Sequence, residues 1–351
     1  MKALVTGSTG FVGANLVEGL AAAGHEVRAL HRSTSRLKAL AGLRYEPAIG
    51  DVLDPSSLTA AMKGVDWVFH VAAVADYWRQ EGTARLYRVN VGGTRNVLEA
   101  ALAAGVHRVV FTSSTATMGV PTANPPGTGL SRLLSPQKRG DGGNRTNRLL
   151  DESAIFNLSP ALSPYGHSKH LAEKVVHEFV ARGLDVVIVN PTVILGPRDL
   201  NMISGSVVLA VYRRQVPVIP PGGVNYVDVS DVVAGHIAAA ERGKAGERYI
   251  LGAHNLTHRQ AVTTIAHIVG VAPPRLRVPG SLLEPLAVAF DLFNRVWPGE
   301  PLTDGNQVRL MKHIVFYDTS KAQRELELAP PIPFPASVER TFRWYQANDY
   351  L

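Results

Sequence analysis

The residues best suited to proton-transfer chemistry in this sequence are Tyr165 and Lys169, four positions apart in the stretch SPYGHSKHLAE. Residues i and i+4 share one face of an α-helix, so the two side chains can meet if the stretch is helical. A free tyrosine, with a pKa of about 10, is a poor acid–base group at neutral pH, and a nearby ammonium group favours the phenolate. We therefore expect Lys169 to lower the pKa of Tyr165. The same spacing also occurs by chance on solvated helices, so the surrounding sequence has to decide between these interpretations.

The first sixty residues predict an element that could hold a second reactant beside this pair. ALVTG, STGFVGANLVEGLAAAG and HEVRAL are typical of a strand, a glycine turn leading into an amphipathic helix, and a second strand. A glycine permits the tight turn, another lets backbone N–H groups approach a pyrophosphate, and a third lets the helix pack closely on the strand. The predicted dinucleotide contacts here are Gly7, Thr9, Gly10, Phe11, Val12 and Gly13.

The end of the second strand bears on the choice between NAD(H) and NADP(H). An acidic residue there accepts hydrogen bonds from the ribose 2′-OH, but this strand ends ALHRSTSR with no acid. Arginine can bind a 2′-phosphate bidentately, whereas a carboxylate would repel it. His31, Arg32 and Arg36 therefore favour NADP(H), with Arg32 nearest the strand end and NAD(H) as the alternative. After the third strand, we expect Asp51 and Val52 at the adenine, and Asp54 or Ser56 as a helix cap.

Three later strands also end in residues that can face a ligand, because ligands bind at the carboxyl ends of parallel strands. VDWVFHVAA ends in small residues that leave room for a dinucleotide, and HRVVFTSSTATMG ends in a cluster of hydroxyls that can also be simple turn formers. The predicted cofactor contacts in the middle of the chain are Val71, Ala72, Ala73, Asn90, Thr112 and Ser113.

The composition excludes several classes of function. The chain of 351 residues is 46% apolar and 19% charged, which indicates a globular protein of more than one lobe, and it contains no cysteine. Disulfides, thiolate metal sites and cysteine nucleophiles are therefore excluded. The histidines show no paired ligand spacing, so we expect no metal. The net charge of +7 suits an anionic cofactor, but the scattered arginines do not indicate nucleic-acid binding.

The sequence also bears on location. It begins directly with the strand-like MKALVTG, which leaves no room for a signal peptide, and the absence of cysteine suits a reducing compartment, so we expect a cytoplasmic protein. No apolar run reaches the length of about 20 residues needed to span a bilayer, so we expect no stable membrane insertion. The stretch SLLEPLAVAFDLFNRVW predicts a buried or lobe-packing helix; the alternative is a helix facing a membrane surface or an acyl chain.

Taken in order, these motifs resemble the extended short-chain dehydrogenase/reductase family, with TGSTGFVG, FHVAA, NVGGTRNVLEAA, VVFTSS, YGHSK and VIVNPTVILGP in place. The branch that they resemble is that of the dihydroflavonol reductases and the hopanoid-associated sugar epimerases. The resemblance covers essentially the whole chain. It implies an α/β fold: a Rossmann-type doubly wound parallel sheet with a smaller, mostly helical C-terminal substrate lobe.

The resemblance implies roles for individual residues. Pro191, Thr192 and Val193 belong to the stretch that wraps the nicotinamide end of the cofactor in the family. Tyr165 is the acid or base of a hydride transfer to or from the cofactor, Lys169 binds the nicotinamide ribose, and Ser114 holds the reacting oxygen, with Thr115 as the alternative. Substrate contacts are expected from Thr115, Ile194, Tyr77 and Trp78, although the two aromatic residues can equally pack between lobes. A homodimer through a helix bundle that includes the Tyr165 helix is also implied.

The resemblance predicts the division of the chain. Residues 1–190 form the cofactor-binding domain, to which 225–250 return, and residues 191–224 and 251–351 form the substrate lobe. One departure is the distance of 51 residues between Ser114 and Tyr165, longer than the resemblance leads us to expect. We expect residues 119–153 to form a flexible excursion over the active site; an oligomer contact or a disordered insertion are the alternatives.

Three functions compete on this evidence. Nucleotide-sugar enzymes of the family carry an arginine just before YVDVSDVVAGH to grip the diphosphate, and PPGGVNYVDV has none, although Arg198, Arg213 or Arg214 could substitute. The sequence therefore favours a reductase or dehydrogenase acting on a small, moderately apolar alcohol or ketone. The alternatives are a nucleotide-sugar epimerase or dehydratase with tightly bound NAD, and a regulator that senses NADP without turnover.

Overall fold

The structure, a computed structural model, describes residues 1–75, 82–121, 149–296 and 305–351. Strands in these ranges are β1 (Lys2–Thr6), β2 (Glu26–His31), β3 (Glu46–Ile49), β4 (Trp67–His70), β5 (Arg108–Thr112), β6 (Val186–Pro191), β7 (Val193–Leu195), β8 (Val218–Ile219), β9 (Gly223–Asp228), β10 (Arg248–Leu251), β11 (His254–Thr257) and β12 (Leu276–Arg277). Helices are α1 (Phe11–Ala22), α2 (Pro55–Ala61), α3 (Gly82–Tyr87), α4 (Thr94–Ala104), α5 (Pro164–Ala181), α6 (Ser206–Tyr212), α7 (Val229–Arg242), α8 (His258–Ile268), α9 (Leu283–Val296), α10 (Gly305–Leu310), α11 (Ser320–Glu325) and α12 (Phe334–Ala347).

Seven parallel strands form the main sheet, in the order β10-β6-β5-β4-β1-β2-β3. The chain order reverses beside β1, and doubly wound sheets bind ligands at the carboxyl ends of the strands at such a point. The register pairs Thr6 with His70 and His70 with Phe111, so β1, β4 and β5 end at one edge. The predicted Rossmann-type fold is confirmed.

Helices cover both faces of this sheet, which explains why its strands read as continuous apolar runs. In β5, Val110 faces the core formed with α1 and α7, while Val109 and Phe111 face the core formed with α2, α4 and α5. The alternation follows from the two-residue repeat of a strand. Side chains of β5 therefore contribute to the cores on both faces of the sheet.

A second core lies in the C-terminal region, where β9 pairs with β7 and β11 in a three-stranded sheet. Helices α6, α8 and α12 pack on it through Val208, Ile265 and Val338. The predicted helical content of this region is confirmed. Within residues 225–250, β9 belongs to this small sheet, and the chain rejoins the layers of the main sheet with α7 and β10.

The remaining C-terminal elements form a small cluster of their own. Helix α9 packs against α10 and against the residue that follows β12, through Leu283, Ala287, Val308 and Val278. Strand β12 pairs with β8. Among the described residues, no helix combines the length and the apolar character that crossing a bilayer would require.

Candidate active site

The helix α5 begins at Pro164, directly before Tyr165, with proline at a position where its fixed φ suits the first helical turn. The next residue, Gly166, allows α5 to lie close to the 3₁₀ turn Thr115–Met118: a Cβ at this position would be 2.6 Å from the Ala116 carbonyl oxygen. Any side chain there would push the helix away. This glycine therefore holds Tyr165 beside the turn that carries Ser114.

The Ser114 side chain lies near enough to the Tyr165 phenol to lower the pKa of that phenol. Ser114 is half-buried, whereas its neighbours Ser113 and Thr115 are buried and bond to other groups. The Thr115 hydroxyl donates to the Pro191 carbonyl oxygen at 3.3 Å. The structure thus brings Tyr165 together with Ser114 rather than with the alternative, Thr115.

The pKa of Tyr165 differs from the expectation. Burial raises the pKa of Tyr165 to about 12, and the Ser114 side chain opposes this shift without reversing it. The prediction that Lys169 lowers this pKa is wrong, because desolvation of the phenol dominates and the opposing contribution comes from Ser114, not from Lys169. The phenol is accordingly held as a proton donor at neutral pH.

The Lys169 side chain is buried and ends at the carboxyl end of β5. Its Nζ donates a 2.8 Å hydrogen bond to the Thr112 carbonyl oxygen and lies 5.0 Å from the centre of the Phe111 ring. Burial lowers the pKa of Lys169 to about 8, and the negative charge of Glu173 acts in the opposite direction. Lys169 can therefore gain or lose a proton near neutral pH.

Sequence reasoning missed Glu173, which lies one helical turn beyond Lys169. Its carboxylate is buried and accepts hydrogen bonds from Ser113 Oγ at 2.5 Å, Thr117 Oγ1 at 3.1 Å and Asn190 Nδ2 at 2.8 Å, with Arg248 Nε at 3.5 Å. The network ties α5 to the ends of β5 and β6 behind the reactive side chains. The four-residue step from Lys169 was the signal that could have revealed it.

The glycine turn after β1 has the shape that a dinucleotide requires. Gly7 has φ +66°, and a Cβ there would lie 2.7 Å from the backbone nitrogen of Ala72. A Cβ at Gly13 would overlap the Gly7 carbonyl group. Helix α1 starts with no side-chain cap and no acidic residue in its first turn, so its N–H groups face an opening suited to an anion. These residues fit the pyrophosphate of a dinucleotide, with Thr9, Phe11 and Val12 half-buried beside it.

At the end of β2, the guanidinium groups of Arg32 and Arg36 are exposed, and neither forms an ion pair within the described ranges. His31 is half-buried, and its ring nitrogen Nδ1 lies 3.1 Å from the Arg32 carbonyl oxygen. Among the residues that the structure describes, no carboxylate is bonded to this end of the strand. The arrangement therefore presents positive charge where the ribose of a dinucleotide would end.

The turn after β3 shows which acid caps α2. Asp54 accepts a hydrogen bond from the Ser56 backbone N–H at 3.0 Å and is the cap. Asp51 accepts instead from the Leu53 backbone N–H at 2.9 Å, which fixes its own loop. Val52 is buried and lies against Gly93, and its packing on adenine stays a prediction.

Three of the residues expected to bind the cofactor use their side chains in hydrogen bonds within the protein. Asn90 uses its amide on both backbone groups of Val74 and on Ser168 Oγ, and the Thr112 hydroxyl lies 2.8 Å from His236 Nε2. Ser113 bonds to Glu173. These bonds support the strand ends from behind, and contact of the three residues with the cofactor stays a prediction.

The ends of β4 and β6 line the same edge of the sheet. Ala73 is exposed there, and Val71 and Ala72 are half-buried. Thr192 donates its hydroxyl to Asn225 Oδ1 at 2.9 Å, while Val193 and Ile194 are half-buried in β7. Asn15, another residue that sequence reasoning missed, donates from α1 to the Pro197 carbonyl oxygen at 3.0 Å and so joins the glycine turn to the loop after β7.

Some predictions fall outside the described residues. Tyr77 and Trp78 do, and so do residues 122–148 of the segment 119–153. Both ends of that segment are held: Asn157 bonds to the backbone of Val120 at 3.0 and 2.8 Å, and the Leu150 backbone N–H donates to the Phe316 carbonyl oxygen at 2.8 Å. Within the described part of the chain, no cluster of three His, Asp or Glu side chains could hold a metal.

Comparison with known proteins identifies similar chains. Residues 3–252 match the NAD dependent epimerase/dehydratase family. A Synechocystis protein provisionally named dihydroflavonol 4-reductase is 36% identical, over 99% of this chain and 95% of its own. Sterol demethylase protein B of Methylococcus capsulatus is 35% identical over 94% of each chain. The dTDP-glucose 4,6-dehydratase DesIV of Streptomyces venezuelae, solved with NAD and TYD bound, is 25% identical with a TM-score of 0.73, over 99% of this chain and 98% of its own.

Proposed function

Because this chain belongs to the NAD-dependent epimerase/dehydratase family, we propose that it is an oxidoreductase that moves a hydride between NADP(H) and a secondary alcohol or ketone. The observation that carries this proposal is the placement of Tyr165 beside Ser114, with Lys169 one helical turn away on the same helix. A relative named as a reductase, similar over almost its whole length, supports it.

In this reaction Tyr165 gives a proton to the carbonyl oxygen of a ketone, or takes one from an alcohol. Ser114 donates a hydrogen bond to the reacting oxygen and so holds it beside the phenol. The nicotinamide ring, when bound, supplies or accepts the hydride. Gly7, Gly10 and Gly13 would hold the pyrophosphate of that cofactor, and Lys169 would bind its ribose.

The pKa values favour the reductive direction. With the pKa of Tyr165 raised to about 12, the phenol is protonated at neutral pH and ready to act as an acid. The pKa of Lys169, lowered to about 8, lets its ammonium group restore the proton as it is used. Oxidation of an alcohol requires the opposite protonation states and therefore a higher pH.

NADP(H) is the proposed cofactor because Arg32 and Arg36 are exposed at the end of β2 without a carboxylate bonded to that end. A guanidinium group matches a 2′-phosphate in charge and geometry. Arg32 is the better placed of the two, since it follows β2 directly. NAD(H) is the alternative, and DesIV binds NAD.

The substrate is proposed to be a moderately apolar small molecule without a nucleotide. No arginine lies in PPGGVNYVDV, and two of the three possible substitutes bond elsewhere: Arg198 to Glu18 at 2.8 Å and Arg213 to the Tyr350 carbonyl oxygen at 2.5 Å. Arg214, exposed after α6, stays the alternative. A diphosphate would lose its charge-assisted hydrogen bonds. The relative named for sterol demethylation suits an apolar substrate.

The substrate is proposed to lie between the main sheet and the lobe formed by residues 191–224 and 251–351, beside Thr115 and Ile194. We also propose a cytoplasmic homodimer that pairs through α5.

The alternative function, an epimerase or dehydratase that retains its NAD, is favoured by the similarity to DesIV. A sensor without turnover is disfavoured, because it does not need the pair Tyr165 and Lys169.

Cofactor analysis of the purified protein, followed by a screen of NADPH oxidation over ketones, tests this proposal. We expect exchangeable NADP(H) and turnover of an apolar ketone. Tightly bound NAD(H) that never exchanges, together with turnover of nucleotide-sugars, would contradict the reductase and favour the epimerase. NADPH binding without turnover of any ketone or nucleotide-sugar would instead indicate the sensor.

A further inference from the structure

Helix α9 is apolar around most of its circumference. Its inner side packs Leu283 and Ala287 on Val278 and Val308. Its polar side is narrow and already satisfied, since Glu284 and Asp291 both bond to the guanidinium group of Arg309, at 2.9 and 3.0 Å. A helix that is apolar beyond one buried face needs a second apolar surrounding.

The remaining side of α9 and of the turn before it faces outward. Four large apolar residues there have exposed fractions of 45% to 56%. When positions are placed around the helix axis at 100° per residue, these four residues and two smaller apolar residues lie on one side of the helix. We call this set the outer stripe: Leu282, Pro285, Val288, Ala289, Leu292 and Phe293.

The surroundings of the outer stripe are basic. Arg275 and Arg277 are exposed in the segment that leads into α9, and Lys312 is exposed directly after α10, whose Val308 packs on α9. No ion pair joins these three cations to an acid of the described ranges. The nearby acids, Glu284 and Asp291, share the single positive charge of Arg309, so this group keeps one negative charge against three cations, and the whole chain carries a net charge of +7.

We propose that the outer stripe docks on the surface of a bilayer that contains anionic lipids. The apolar side chains enter the boundary between headgroups and acyl chains, and Arg275, Arg277 and Lys312 contact the anionic headgroups. With 14 residues, α9 is too short to cross a bilayer and lies in the plane of its surface. This inference is independent of the reaction proposed above.

The docking surface is joined to the candidate active site. Asn306, at the start of α10, donates its side-chain amide to the Ala161 carbonyl oxygen at 2.8 Å. Ala161 lies in the segment that leads directly into α5 and Tyr165. A protein docked through α9 would therefore hold the entry of α5 on the far side of α10 from the membrane surface.

Vesicle sedimentation with the full-length protein tests the proposal. We expect the protein to bind vesicles of phosphatidylcholine mixed with phosphatidylglycerol, and to bind vesicles of phosphatidylcholine alone at least about tenfold more weakly. Added salt should weaken the binding, since it screens the basic side chains. Failure to bind the mixed vesicles, or equal binding to both kinds, would overturn the proposal.

Two variants locate the contact. Leu282→Ser/Val288→Ser/Leu292→Ser should abolish binding, and Arg275→Ala/Arg277→Ala should weaken it about tenfold or more. The matched control Ile49→Ser/Ile155→Ser removes exposed apolar side chains outside the stripe and should bind like the original protein.

The thermal midpoint of each variant shows whether it is folded. We expect all variants to fold, because the replaced residues are exposed. Unchanged binding by the folded triple variant would contradict the docking site. So would a wild-type protein that self-associates through the stripe and does not bind vesicles, because the stripe would then be an interface between two copies of this chain.

Discussion

The Lys169 ammonium group donates its 2.8 Å hydrogen bond to the main-chain carbonyl of Thr112, the last residue of β5. The bond joins α5 to the strand whose continuation carries Ser114. Because the acceptor is a backbone atom, a mutation of Thr112 would not remove it. Lys169 thus fixes the relative position of the two segments that supply the reactive hydroxyls, in addition to any contact with a cofactor.

Replacing Tyr165 with Phe removes the proton donor and keeps the ring. We expect kcat to fall by about 10² to 10⁴, the usual contribution of a positioned acid or base, while cofactor affinity stays nearly unchanged. Steady-state NADPH oxidation and a fluorescence titration with NADPH measure the two quantities. Tyr87→Phe, on α3, is the matched control, and an active Tyr165→Phe variant would show that the site is wrongly assigned.

Replacing Glu173 with Gln removes the negative charge that raises the pKa of Lys169. We expect this pKa to fall further below its usual value, so that the basic limb of the pH–rate profile moves by about one unit to lower pH. The buried hydrogen bonds to Ser113 and Asn190 would also weaken. Glu178→Gln, an exposed change on the same helix, is the control, and equal profiles for both variants would refute a role of Glu173 in the charge of Lys169.

Changing Arg32 to Asp should alter the choice of cofactor. The new carboxylate repels a 2′-phosphate and accepts hydrogen bonds from a free 2′-OH, so the preference for NADP(H) over NAD(H) should fall by about 100-fold, or roughly 3 kcal/mol. The ratio of kcat/KM for the two cofactors measures it. Arg44→Asp, exposed near the opposite end of the sheet, should change nothing, and an unchanged ratio for Arg32→Asp would exclude Arg32 from the phosphate site.

Acid should destabilise the protein through His236, which is buried against Thr112. Burial lowers the pKa of His236 from 6.5 to about 4, so below pH 6.5 the unfolded chain binds a proton that the folded chain does not. Stability is therefore lost as the pH falls from 6.5 towards 4. Between pH 6.5 and 5 this one residue should cost about 2 kcal/mol.

Urea denaturation at several pH values measures this loss. His236→Gln should show a shallower decline, since glutamine does not titrate, whereas His107→Gln on the surface should keep the original slope. Equal slopes in all three proteins would mean that His236 is not the group responsible.

The fold and the reactive residues could be predicted from local sequence patterns. The pKa values of the reactive residues could not. Gly7, Gly10 and Gly13 predict the turn because only a small residue fits between a strand and a helix that pack so closely. Tyr165 and Lys169 share a helix face whatever surrounds them. The depth of burial that raises the pKa of Tyr165, however, is created by segments distant in sequence, and a local pattern does not contain it.

Long separation in sequence also explains why the hydrogen bonds of the supporting residues could not be predicted. Asn90 and Thr112 lie at the strand and helix ends where a ligand is expected, but their partners, Ser168 and His236, lie 78 and 124 residues further along the chain. Only the assembled fold brings such pairs together. Glu173 differs from these residues, because it lies one helical turn from Lys169 and the sequence alone could have revealed it.

The contact between Gly166 and Ala116 also bears on how this protein can diversify. It fixes the distance between two hydroxyl-bearing segments by a close approach of backbone. Mutations elsewhere that leave this contact intact can therefore accumulate without moving Tyr165 away from the turn that carries Ser114. A lineage built on this arrangement is able to explore new substrates while it inherits one unchanged chemistry.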